Sequence, residues 1–183
     1  MSSYSSLLVD IGGTNMRYAY ANKRNISEEK ILSNISDQKI NKTLGNLLSN
    51  PQIKNAVIAA AGPRLGNRIE MTNRKVIVDG DLLGRKFKLA NSQVLNDWEA
   101  VGYAIDEMKL KKIKKGKSKS NVDLMIGPGT GLGFAIVADG KVIPTEIGNT
   151  KLHSKLLLNN LGIRPSKFFS VLEDVISGPS ISR

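Results

Sequence analysis

Apolar positions along the chain fall into alternating and helical patterns that can be placed in order. The run from Leu7 to Ile11 breaks at Gly12-Gly13 and resumes as an alternating segment through Tyr18 and Tyr20, which predicts a β-hairpin with a Gly turn. Ile40, Leu44, Leu47 and Leu48 recur at i, i+4, i+7 and i+8, the stripe of an amphipathic helix that stops ahead of Pro51. Residues 56–62, AVIAAAG, predict a buried strand whose end is punctuated by Gly62-Pro63. Short strands are expected over 68–71 and 76–78, flanking Thr72-Asn73, and a short helix over 79–87. SQVLND then runs from strand into a second helix, where Trp98, Val101, Ile105 and Met108 keep helical spacing.

From Asn121 the pattern restarts. Strand, Gly-rich turn, strand, Asp-Gly turn and strand follow one another through Pro144, so each half of the chain opens on an apolar strand, a Gly-Thr turn and another strand. Two modest helical patterns lie near 151–161 and 166–176.

Composition narrows the chemistry. The 183 residues suit one domain, or one and a half. With no Cys and one His, disulfides, thiolate nucleophiles, Cys-based metal sites and multi-histidine centres are excluded, leaving carboxylates, hydroxyls, amides and Lys. His153 lies in a polar stretch and reads as a surface residue. The N-terminal apolar run stops at Ile11 with no basic residue before Arg17, which fits neither a signal peptide nor a membrane span and reads as a cytoplasmic protein. The net charge of +11 is local: Lys109 to Lys119 holds seven Lys and no acid, and without it the balance is +4. No aromatic lies inside that run, which argues against a single-strand nucleic-acid binder and for a solvated linker.

Two Gly-rich turns could present backbone N–H groups to phosphate. Gly12-Gly13-Thr14 joins two strands and equally suits a tight hairpin, whereas residues 127–133, GPGTGLG, pack four Gly into seven positions. The second turn is no dinucleotide fingerprint, because a hairpin surrounds it. Asp10 ends the first strand, where it could hold hydrated Mg²⁺ through water or bond its own turn. Asp97 stands where a strand meets a helix N-terminus, suited to a general base or to an ordinary cap, and Asn96 beside it could bond a polyol hydroxyl. Glu146 and Glu173, taken alone, are ambiguous.

In combination, five segments in order resemble the bacterial-type glucokinases of the sugar kinase, actin and Hsp70 superfamily: LLVDIGGTNMR, AAAGP with MTN downstream, VLNDWEAVGYAI, IGPGTGLGFAIV, and TEIGN followed by EDVISGP. They span residues 7–179. The resemblance implies an α/β fold of ribonuclease H-like, actin-like ATPase lobes: a complete first lobe over 1–108, a Lys-rich linker over 109–120, and the start of a second lobe over 121–183. It implies phosphoryl transfer from Mg-ATP to the 6-hydroxyl of glucose or a similar hexose, feeding glucose catabolism, with Asp97 as the base. Asp10, Ile11, Gly12, Gly13, Thr14 and Asn15 resemble the first phosphate motif, with Asp10 near Mg²⁺ through water. Gly129, Thr130 and Gly131 resemble the second. Asn73, Asn96, Glu146, Asn149 and Glu173 are then expected, with Asp97, at the sugar. The lack of Cys argues against the related sugar kinases and repressors that carry a Cys-rich zinc motif.

The sequence departs from the family twice. Asn149 stands where the family usually has His, which predicts weaker or altered sugar selectivity. The family also continues well past the SGP segment, through an adenosine-binding motif and a last helix. A second lobe without them would expose a strand edge that favours a homodimer or aggregation, and would fit a non-catalytic sugar- or nucleotide-binding remnant as the alternative reading.

Overall fold

Five strands, three of them parallel, carry the first half of the chain. The structure is a computed structural model describing residues 4–23, 25–116, 120–129, 131–164 and 167–181. The chain divides into two compact units, Met1–Ala100 and Val101–Arg183.

In the first unit, β1 (Ser6–Ile11) buries Leu7, Val9 and Ile11 and pairs antiparallel with β2 (Met16–Ala21), which pairs antiparallel with β3 (Lys30–Leu32). The Gly turn at 12–13 therefore closes the hairpin that the apolar pattern predicts. Helix α1 (Asp37–Leu48) begins at Ser36, whose hydroxyl accepts from the Lys39 N–H, and buries Ile40, Leu44 and Leu48. It crosses back to β4 (Asn55–Ala60), parallel to β1. Leu7 and Ile58 are fully buried in the shared core, and each such side chain stabilises the fold by about 1.5–3 kcal/mol.

A small antiparallel sheet follows, β5 (Arg64–Leu65), β6 (Arg68–Glu70) and β7 (Ile77–Asp79). Its last residue, Asp79, caps α2 (Gly80–Phe87) by accepting from the Leu82 N–H at 2.8 Å. β8 (Asn91–Asn96) then lies parallel to β4, giving the order β3-β2-β1-β4-β8. It runs directly into α3 (Asp97–Tyr103). The spacing through Met108 predicts a longer helix. Instead the chain tightens into a 3-10 turn at Ile105–Glu107, and Tyr103 and Met108 are exposed, so the last apolar positions gain no burial from continuing the α-helix. Residues 109–116 of the Lys run form neither helix nor strand, and 117–119 lie outside the described residues.

The second unit repeats the opening device. β9 (Val122–Pro128), β10 (Leu132–Ala138) and β11 (Lys141–Pro144) form an antiparallel meander with β10 central. Asp139 and Gly140 both have positive φ, 49° and 72°, the left-handed pair that a two-residue hairpin turn demands. A 3-10 turn at Ile147–Asn149 precedes α4 (Lys151–Asn160). The helical pattern near 166–176 is realised only as α5 (Glu173–Ile176), followed by α6 (Gly178–Ile181), which the pattern did not predict. Residues 165–166 lie outside the described set. Among the described residues no helix is long and apolar enough to cross a membrane.

Candidate functional site

The three parallel strands of the first unit end in one register row, with Ile11 beside Ala60 and Ala60 beside Asn96. The chain leaves that edge through the turn at 12–15, the Gly62-Pro63 corner and the start of α3. Carboxyl ends of parallel strands are where open α/β sheets bind ligands, because the loops converge there.

At the first turn, the Gly12 N–H donates to the Asn15 carbonyl at 2.9 Å. Gly13 and Thr14 are exposed, and a Cβ built on Gly13 would meet nothing, so the main chain is open to a close anionic ligand. Ile11 is buried beneath the turn, and the Asn15 side chain accepts from the Asn34 N–H at 3.4 Å. The turn is held from below by Arg74, which donates from Nε to the Gly12 carbonyl at 3.1 Å and from Nη1 to the Ile35 carbonyl at 2.8 Å and Asp37 Oδ1 at 3.0 Å. That contact brings the loop carrying the exposed Asn73 to the first turn. The Asp10 carboxylate accepts from Arg17 Nη1 at 3.1 Å on the half-exposed end of β1.

Asp97 is the first residue of α3, and its carboxylate accepts from the Trp98 N–H at 2.9 Å. Burial raises its pKa above the ordinary carboxylate value, the Trp98 and Asp97 N–H groups oppose that, and the negative charge of Asp10 adds to the rise. The helix N-terminus, whose dipole favours the ionised form, is thus outweighed by desolvation. Asn96 is the true cap. Its Oδ1 accepts from the Trp98 and Glu99 N–H groups at 2.9 and 3.2 Å, and its Nδ2 donates to the Gly62 carbonyl at 2.9 Å. The side chain expected at a sugar hydroxyl is thus engaged with backbone. Glu99 returns the cap by accepting from the Asn96 N–H at 3.2 Å and is gripped by Arg64.

In the second unit, the Gly129 N–H donates to the Gly131 carbonyl at 2.9 Å, and the Gly178 N–H donates to the Gly129 carbonyl at 2.9 Å. Thr130 lies outside the described residues. Glu173 sits under this turn. Its Oε2 accepts from the Leu132 N–H at 3.3 Å, and a Cβ on Gly131 would stand 2.7 Å from that oxygen. Gly148 also has little room: a Cβ there would stand 3.1 Å from the Leu132 carbonyl oxygen and 3.5 Å from Glu173 Oε2. Beside it Asn149 donates to Glu146 Oε2 at 3.3 Å, and both residues are exposed. Glu146, Asn149 and Glu173 are therefore gathered by the 3-10 turn and the second Gly turn within one unit.

Sequence reasoning missed Arg64, Glu99 and Arg74. The Asn96-x-x-Glu99 spacing of a capping box was a usable signal for Glu99. Nothing local announces the two arginines, whose partners lie 35 and 62 residues away for Arg64–Glu99 and Arg74–Gly12. A surface concavity of about 490 Å³, lined by Leu48, Pro51, Lys54 and Phe87 among others, lies by the start of β4 rather than at the strand ends that carry these groups.

The family model for glucokinase matches residues 7–179. A glucokinase of Campylobacter jejuni subsp. doylei is 32% identical over 141 residues, covering 73% of this chain and 42% of that protein. The crystal structure of a glucokinase from an Antarctic psychrotroph superposes with a TM-score of 0.65 at 29% identity, covering 96% of this chain and 61% of that one. A ROK-family glucokinase from Streptomyces griseus, crystallised with glucose and AMPPNP, shares the fold, with a TM-score of 0.58 at 18% identity over 80% of this chain and 50% of that one. The chain spans about half the length of the curated relatives it matches.

Proposed function

Because this chain belongs to the glucokinase family, we propose that it transfers the γ-phosphoryl group of ATP to the 6-hydroxyl of glucose or a similar hexose, with Asp97 as general base. One observation carries the reading: a half-buried carboxylate with a raised pKa stands on a helix start at the carboxyl edge of the sheet, coupled to the charge of Asp10. Phosphoryl transfer asks little covalent work of a protein. It needs in-line positioning and a carboxylate that accepts the hydroxyl proton as the oxygen attacks. A positioned general base is worth about 100- to 10,000-fold in rate, and one whose pKa is raised accepts the proton with a larger driving force.

The exposed Gly13-Thr14 backbone of the first unit, and Gly129 and Gly131 of the second, are the main chain proposed to meet phosphate oxygens. Glu146, Asn149 and Glu173 supply acceptors and one amide for sugar hydroxyls, and Asn73 lies on the loop that Arg74 ties to the first turn. Asp10 fits hydrated Mg²⁺, which takes one or two carboxylates, and the like charges of Asp10 and Asp97 are a pair that a divalent cation relieves. When bound, the metal neutralises phosphate charge. The glucose and ATP analogue of the Streptomyces fold relative are the pair to try first, and the product would enter glucose catabolism in the cytoplasm.

The test is ³¹P NMR of the products formed from glucose and Mg-ATP. Glucose 6-phosphate with stoichiometric ADP supports the reading, and ADP without a phosphorylated sugar contradicts it.

A further inference from the structure

We infer that the Arg64–Glu99 ion pair is the positioning device for Asp97, fixing the strand-to-helix corner that carries the base. The inference rests on Asp97 being that base. Arg64 holds Glu99 with two parallel bonds, Nε to Oε2 and Nη2 to Oε1, each 2.8 Å. Such a fork sets direction as well as distance. The Glu99 side chain is 1% exposed, and its Oε2 also accepts from the Asn96 N–H. Arg64 Nη1 donates to the Gly66 carbonyl at 2.8 Å, so the guanidinium is itself anchored.

The corner is tied a second time by Asn96, whose Nδ2 donates to the carbonyl of Gly62, two residues before Arg64. Gly62 is fixed in turn. Its φ is 152° and a Cβ there would lie 2.6 Å from the Glu70 carbonyl oxygen, so that backbone admits no other residue without strain. Residues i and i+2 on a helix do not share a face. Glu99 is thus spent on the buried side of α3 while Asp97, two residues earlier, is left to the strand-end edge. Glu99 supports the base without touching the reacting atoms.

Stability does not explain the pair. A buried ion pair is commonly matched or bettered by apolar residues of similar volume, because desolvating two charges offsets their attraction. Direction is what apolar packing does not supply.

The experiment compares Glu99→Gln, Arg64→Lys and the double variant Arg64→Met/Glu99→Gln with wild type. Arg64→Met alone would strand a buried carboxylate, whereas the double variant removes both charges and keeps an amide able to cap Asn96. The double variant is expected to remain folded by circular dichroism at the assay temperature and to lose kcat about 10- to 100-fold with KM for ATP unchanged, the signature of a displaced base. Arg64→Lys, with one bond in place of two, is expected to fall between. Wild-type kcat in the double variant, or a loss that tracks the unfolded fraction, overturns the inference.

A second arm needs no turnover. Trp98, the only tryptophan, adjoins Asp97. Acrylamide quenching of its fluorescence is expected to rise in the double variant, and unchanged quenching overturns the inference. Wild-type protein that phosphorylates no hexose overturns the assignment of Asp97 as base, and quenching then reports separately whether the pair holds the corner.

Discussion

Arg74 Nε donates to the Gly12 carbonyl oxygen at 3.1 Å, so a cation 62 residues along the chain holds the first glycine turn in place. Its side chain is 8% exposed and also bonds Ile35 and Asp37. Arg74→Ala leaves two carbonyls and a carboxylate without this donor and is expected to cost about 3 kcal/mol in urea denaturation. KM for ATP is expected to rise as the turn loosens. Arg74→Lys recovers only part of both, since one ammonium cannot span three acceptors set for a planar fork.

The two Gly turns are expected to respond differently to a methyl group. Gly13 has neither a positive φ nor a neighbour within 4 Å, so Gly13→Ala leaves stability within about 0.5 kcal/mol of wild type. Its Cβ intrudes only on a ligand. KM for ATP is expected to rise about tenfold, the equivalent of one lost backbone bond of about 1.4 kcal/mol. Gly131→Ala instead meets Glu173 Oε2 at 2.7 Å and displaces that flexible carboxylate from the Leu132 N–H. It is expected to raise KM for glucose, and Glu173→Gln to raise it further.

Asp97 gives a pH dependence of definite sign. Its folded pKa is raised, chiefly by burial, so the acid limb of kcat/KM is expected to have its midpoint above the ordinary value of 3.8. The folded state binds the proton more tightly than the unfolded chain, so this group's stabilisation is present at acid pH and is lost as pH rises through the folded pKa. Asp97→Asn is therefore expected to raise Tm at neutral pH and to leave it unchanged at acid pH, while slowing turnover. A base that costs stability when ionised is the usual trade at a catalytic site.

Asn149 bonds Glu146 at 3.3 Å where a histidine would reach further and could carry charge. Asn149→His is expected to raise kcat/KM for glucose over mannose about fivefold, the worth of one added hydrogen bond of about 1 kcal/mol.

The strand-turn-strand repeat was legible because its cause is local. Apolar runs mark β1 and β10 as strands, and Gly12-Gly13 and Asp139-Gly140 mark the turns. Helix α1 was legible for the same reason, with Pro51 marking its end, while its Ser36 cap was not read from the sequence. What escaped the sequence depends on distance. The α3 pattern reads as continuing to Met108, yet Tyr103 and Met108 are exposed and gain little burial. Asn96 and Asp97 were visible as a polar pair at a strand end, but which of them caps the helix is decided by Gly62 and Arg64, more than thirty residues upstream.

Asp97, as proposed, accepts the proton of a hexose hydroxyl. Coupled measurement of glucose-dependent ADP formation from Mg-ATP, run with wild type beside Asp97→Asn, tests it most directly. The expected result is turnover by wild type and a loss of about 100- to 10,000-fold in kcat for the variant, with glucose still bound. Equal turnover by the two proteins would contradict the account.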